Sequence, residues 1–179
     1  MTVFDTMVTL TNKNEKTESF ISDQLANSII KADKWISIQD SNFRSNLKES
    51  KMGGNLVATI PLECEYNCVI KIRQNIDRPT NFSIILLFKT GSVLVPIIRY
   101  NGNHGKHENT KTGEVFTGPH IHKITEWYQL NTSHPDGEAT KTDEYETLDG
   151  AVKIFKRDMH IMVKRANGQM ELGKWVEMK

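Results

Sequence analysis

Four apolar, β-branched runs dominate the middle of the chain: "NLVATIPLE" from Asn55, "YNCVIKIR" from Tyr66, "NFSIILLFK" from Asn81 and "SVLVPIIRY" from Ser92. Each has the length of a strand and is set off from the next by a short polar stretch. That pattern predicts an antiparallel meander. Thr90-Gly91 marks a tight hairpin between the last two runs. Pro96 lies inside the fourth. Proline offers no N–H to a ladder, so that strand is expected at an edge or bulged at this point. "PHIHKITEWY", residues 119–128, reads as a fifth strand.

A helical period occurs twice. Within 19–32, Ile21, Leu25, Ile29 and Ala32 fall on one face, with Ser19 or Ser22 able to cap the helix and Asp23 in its first turn. Within 147–161, Leu148, Ala151, Val152, Phe155 and Met159 do the same. "WISI" at 35–38 reads as a short strand, and 40–54 and 101–118 read as loops. The tail reads as a hairpin turning at Asn167-Gly168, with Trp175 as an apolar anchor. These elements predict an α+β fold: a flexible lead over 1–16, then one domain over 17–179 with a single antiparallel meander sheet and two helices.

A chain of 179 residues suits one domain with its own core. The net charge of +1 supplies no global field for nucleic acid or membrane, so any such binding must come from a local patch. No apolar run approaches the roughly 20 residues of a membrane span. The first residues lack a basic start followed by an apolar core, so a cytoplasmic protein is expected, with no membrane partner and no DNA. Cys64 and Cys68, spaced CxxxC, read as free thiols of a reducing compartment. A locally basic C-terminal part, with Lys153, Lys156, Arg157, Lys164, Arg165, Lys174 and Lys179 near Trp175, reads as either a nucleic-acid platform or a solvated helix face.

The segment "RYNGNHGKHENTKTGEVFTGPHIHKITE" changes the picture. It holds His104, His107, His120 and His122, four of six histidines; His134 and His160 lie outside it. Side chains alternate along a strand, so His120, His122 and Glu126 are expected on one face, the two imidazoles roughly 7 Å apart at their Cα atoms. Two chemistries suit that placement. One needs no cofactor: one imidazole takes a proton and another gives one, as in cleavage of RNA through its own 2′-OH. Arg99 or Lys123 would then hold the phosphate, Glu126 would orient a histidine, and Asn101 and Asn109 would fix the loop or touch RNA. The other is a divalent transition metal (zinc, iron or manganese) at His120, His122 and Glu126, with a loop histidine as third imidazole. Gly102 and Gly105 are expected to let backbone amides approach an anion. A purely structural cluster remains the plain alternative.

The same run resembles an uncharacterised family of small bacterial and mobile-element proteins. The likeness rests on Arg99, Gly102, His104 or His107, Asn109, Gly118-Pro119, His120, His122 and Glu126. It does not extend to "WYQLNTSHPDGEAT", where a different run is usual in that family. The resemblance implies a phage or mobile-element setting, as toxin or anti-defence factor. An anti-CRISPR protein acting on the guide RNA of Cas9 is one form of that. A weaker likeness to the cupin metal motif rests on His120, His122 and Glu126 alone, without the flanking glycines or the second motif. The leading expectation is therefore a small ribonuclease using His120 and His122, with His107 or His104 as the competing proton-transfer group. A metal-dependent hydrolase or metal-binding module, and a non-catalytic inhibitor of a host protein or ribonucleoprotein, are the alternatives.

Overall fold

The computed structural model describes residues 20–132 and 137–164. The lead over 1–16, His134 and the tail hairpin with Trp175 lie outside the described residues. The expected α+β class holds: among the described residues the sheets are mostly antiparallel, and there are three helices rather than two. No helix among the described residues is long and apolar enough to cross a membrane.

Helix α1 spans Asp23–Lys31 and starts where Ser22 accepts a hydrogen bond from the Leu25 N–H at 3.1 Å. Helix α3 spans Leu148–Asp158 and starts the same way at Thr147, which accepts from the Gly150 N–H. Both turn an apolar stripe, Ala26 and Ile29 in one and Leu148, Ala151 and Phe155 in the other, to a common core.

That core lies on one face of a seven-stranded sheet. The meander is β3 (Asn55–Pro61), β5 (Cys68–Asn75), β6 (Phe82–Thr90) and β7 (Val93–Asn101). Two-residue β2 (Lys48–Glu49) edges it beside β3, while β10 (His120–Lys123) and β11 (Glu138–Lys141) extend it beyond β7. Strand β7 is therefore central, and the expected irregularity is a bulge: Leu86 pairs with Ile98 but Leu87 pairs with Pro96, leaving Ile97 as the extra residue. The Ile97 carbonyl accepts from the Ile124 N–H just past β10.

Alternation gives the sheet two different faces. Ile60, Ile70, Ile72, Ile84, Leu86 and Tyr100 point into the core. Thr59, Lys71, Arg73, Ser83, Ile85, Arg99, Asn101, His120 and His122 alternate with them and so point the other way.

Four expectations are corrected. The fifth strand stops at Lys123; Thr125 caps a short helix α2 (Glu126–Asn131) by accepting from the Tyr128 N–H. Residues 101–118 are not all loop, because β8 (Lys106–Glu108) and β9 (Val115–Thr117) form a hairpin. The helical pattern ends before Ile161, and β12 (Ile161–Lys164) pairs in parallel with β1 (Lys34–Ser37). With β4 (Glu63–Cys64) these make a second, three-stranded sheet, so the fold is not one sheet.

Candidate functional site: a histidine cluster in a basic cleft

The β8–β9 hairpin folds back over the polar face at the β7–β10 end and brings the four imidazoles into contact. The His120 and His122 rings lie 5.0 Å apart, sharing a face as their spacing predicts. His107 reaches both, with ring centres 5.1 Å from His120 and 4.7 Å from His122, and His104 stands 4.8 Å from His120. Phe116 of β9 packs against His107 and His120 and supplies an apolar wall.

His120 is the hub, with no solvent exposure. Its Nδ1 lies 2.8 Å from the Gly118 carbonyl, which fixes the proton there in the neutral ring. Its Nε2 is then a lone pair, 3.2 Å from Asn101 Nδ2 and 3.2 Å from His104 Nε2. Burial pushes the His120 imidazole down to about 4, and the positive charge of His104, His107 and Arg99 acts in the same direction. The His104 residue is exposed, but its ring tip is set against His120. Desolvation there, then the charges of His107, Arg73 and Arg99, lower its basicity as well. His122 Nδ1 faces the Gly137 carbonyl at 3.4 Å. His107 Nε2 faces Asn109 Oδ1 at 3.3 Å.

Three of these residues could hold a metal ion. One ring nitrogen each from His107, His120 and His122 lie within 4.8 Å of one another. They come from β8 and β10, two separate elements. His120 and His122 each turn Nδ1 to a backbone carbonyl, the usual arrangement behind an imidazole that ligates through Nε2. Neither cysteine joins such a group among the described residues. Cys68 is buried, and its thiol is pushed up by burial first, so it stays protonated and unreactive.

An open cleft of about 730 Å³ leads to the cluster. His104, His107 and His122 line it with Arg99, Asn101, Lys71, Arg73 and Ser83, and Glu108 is the one carboxylate among the lining residues.

Of the residues singled out by sequence, seven come together: Arg99, Asn101, His104, His107, Asn109, His120 and His122. Asn109 acts as a tether rather than a substrate contact. It is buried, its amide donates to the Ala139 carbonyl at 2.8 Å, and its Oδ1 accepts from the Ala139 N–H at 2.9 Å, tying the hairpin to β11. Two residues do not belong. Lys123 projects from the core face, and its ammonium donates to Asn27 of α1 at 2.7 Å. Glu126 lies in the first turn of α2, where its carboxylate accepts from the Asp23 N–H and its own N–H donates to Asp23. The strand ends before it, so the four-residue spacing no longer places it beside the histidines. Gly102 is also not an anion site: its N–H donates to the Phe82 carbonyl, and a Cβ there would meet the Thr80 carbonyl oxygen at 2.1 Å.

Lys71 and Arg73 were not singled out. Their signal was the alternation of "VIKIR", which sets Lys and Arg opposite the core; which face they share with the histidines depends on register. The C-terminal basic residues that are described lie elsewhere: Arg157 pairs with Glu144 and Asp158, and Lys164 with Glu63. His160 sits just past the end of α3. No protein-family model, curated protein or solved structure matches the chain.

Proposed function

We propose that the protein is a small endoribonuclease that breaks RNA phosphodiesters at the mouth of the histidine cluster. In this reading His107, His120 and His122 hold a divalent transition metal. The observation that carries it is the convergence of those three imidazole nitrogens within 4.8 Å, at the back of a cleft lined by Arg99, Arg73 and Lys71. A bound metal supplies Lewis acidity toward a phosphoryl oxygen or a water. In this reading Arg99, directly across from His122 in the β7–β10 pairing, holds the phosphate. His104, exposed and outside the triad, is the proton-transfer group. Its lowered basicity keeps it neutral at pH 7 and so able to accept a proton.

A second reading keeps the same cleft and uses no metal. It is favoured by the 3.2 Å contact between His104 Nε2 and His120 Nε2, which links a solvent-side imidazole to a buried neutral one. The 2′-OH gives its proton to an imidazole, the P–O2′ bond forms, the P–O5′ bond breaks, and the 5′ oxygen takes a proton. The resemblance to mobile-element proteins adds a setting for either route, an anti-defence factor or toxin with a Cas9 guide RNA among its substrates.

The test is incubation of the pure protein with structured RNAs, a Cas9 guide included, with and without EDTA. Loss of cleavage in EDTA and recovery with zinc or manganese is the expected outcome. EDTA-resistant cleavage leaving 2′,3′-cyclic phosphate ends would select the metal-free route. RNA left intact under every condition would overturn both and favour a non-catalytic inhibitor.

A further inference from the structure

Lys71 and Arg73 stand on the polar face three strands from the imidazoles. The pairing register runs His122, Arg99, Ile85, Lys71 along one row and His120, Asn101, Ser83, Arg73 along the next. At about 4.8 Å per strand, these side chains start roughly 14 Å from the histidine strand.

Arg73 is held in place without being neutralised. Its Nη1 donates to Asn55 Oδ1 at 2.9 Å and its Nη2 to Asn81 Oδ1 at 2.7 Å. Both partners are uncharged amide oxygens, so the guanidinium is oriented and keeps its full charge. Three of its five N–H donors remain for an anion. Lys71 is exposed beside it.

We propose that Arg73 and Lys71 form a second phosphate subsite, so that the cleft takes a single-stranded polynucleotide laid across the sheet. One phosphate sits at Arg99 and the histidines, and a further phosphate of the same strand sits at Arg73. The assignment of the first position rests on the cleavage reading above; the second rests on Arg73 alone. Besides the imidazoles, Tyr128 is the one aromatic among the described residues that line the cleft, and it is 4% exposed. Around Arg73 and Lys71 the described lining therefore offers the bases no aromatic platform, and there the strand is recognised through its backbone with little regard for sequence.

Binding of a fluorescein-labelled 2′-O-methyl RNA 12-mer, followed by polarisation in EDTA at several salt concentrations, tests this directly. Arg73→Gln should weaken binding about tenfold and reduce the slope of log affinity against log salt by about 0.7, the value for one phosphate contact on a single strand. Lys71→Gln should act in the same direction. Lys153→Gln, an exposed charge on α3 across the core, should leave affinity and slope unchanged. Arg73→Lys keeps the charge while losing the fork to Asn55 and Asn81. It should recover most of the slope, which separates charge from any folding role of Arg73. Unchanged binding in both Arg73→Gln and Lys71→Gln would overturn the subsite, as would equal weakening by Lys153→Gln. Unmodified RNA bound but never cleaved, with or without added zinc or manganese, and with Arg73 still required, would end the ribonuclease reading and leave the subsite standing.

Discussion

At the scale of single residues, the four imidazoles differ in what surrounds them, and the differences set their roles. His120 is sealed and neutral, whereas His107 and His122 combine contact with it and access to the cleft. Substituting His122 or His107 by Ala removes a metal ligand and should lower RNA cleavage at least as far as losing a general acid or base does, by about 10²–10⁴-fold. Metal content, measured by mass spectrometry, should fall with it if the triad holds an ion. His120→Ala should lose the same activity and also stability, because it opens a hole at the hub between Phe116 and Asn101. Native RNA cleavage by either cleft-facing variant would sink the site assignment.

The depressed basicity of His120 also makes a statement about pH. Its folded value of about 4 lies below the 6.5 of an unfolded imidazole. Between those values the unfolded chain binds more protons than the native one, so stability must fall as pH drops from about 6.5 to about 4. The His104 shift has the same sign. The full His120 difference corresponds to about 3 kcal/mol. Denaturant unfolding at pH 7.5 and pH 4.5 should show a clear loss at the lower pH, and His120→Asn should flatten that dependence. A bound metal would steepen it, since protonated imidazole cannot ligate.

At the scale of elements, the site is a strand covered by a hairpin, and two residues keep the cover in place. Asn109 joins the hairpin to the Ala139 backbone by two hydrogen bonds. Asn109→Ala leaves a buried N–H and C=O without partners and should cost about 2 kcal/mol locally. Amide hydrogen exchange over 105–117 should quicken, with β5, β6 and β7 hardly affected, and cleavage should drop because His107 rides on this hairpin. Gly137 acts one step back, letting β11, to which the hairpin is tied, close on β10: its φ is +82°, and a Cβ there would stand 1.7 Å from the Lys123 carbonyl oxygen. Exchange over 105–117 that matches the native rate would show that Asn109 is not the tether.

What could be read from sequence follows from how local each signal is. The meander was legible because "VIKIR" and "SIILLF" carry period-two and buried-strand patterns within a few residues. The shared face of His120 and His122 followed from parity alone. Helix α2 was missed because "PHIHKITEWY" has enough β-branched and aromatic residues to read as one strand, and a single Thr cap at 125 outweighs them. The β8–β9 hairpin sets polar Lys106, His107 and Glu108 against a three-residue run, Val115–Thr117, too short to announce a strand. Lys71 and Arg73 became site residues only through the register of three strand pairs. The parallel pairing of Lys34 with Ile161 joins positions far apart in sequence, which no local pattern encodes.

At the scale of the whole molecule, the domain separates what holds it together from what faces a ligand. Helices α1 and α3 cover one face of the large sheet, and the charged cleft occupies the other. Lys34 is the fastener on the helix side. It is fully buried, and its ammonium donates to the carbonyls of Ile30 at 3.1 Å, Ala32 at 2.7 Å and Met159 at 3.1 Å. It thus closes the ends of α1 and α3 with one charge that complements both helix C-termini. Burial lowers its basicity, and the three carbonyls give the ammonium the partners a buried charge needs. Lys34→Met keeps the volume of the stem and strands those three acceptors. It should cost about 3 kcal/mol, which in a domain of this size lowers Tm by roughly 10 °C. Because Lys34 lines no part of the cleft, RNA affinity and metal content per folded molecule should stay at native levels at a temperature well below the new Tm. A variant that melted early and also lost its RNA affinity in the cold would mean that the two faces are coupled, and the division of labour argued for them would fail.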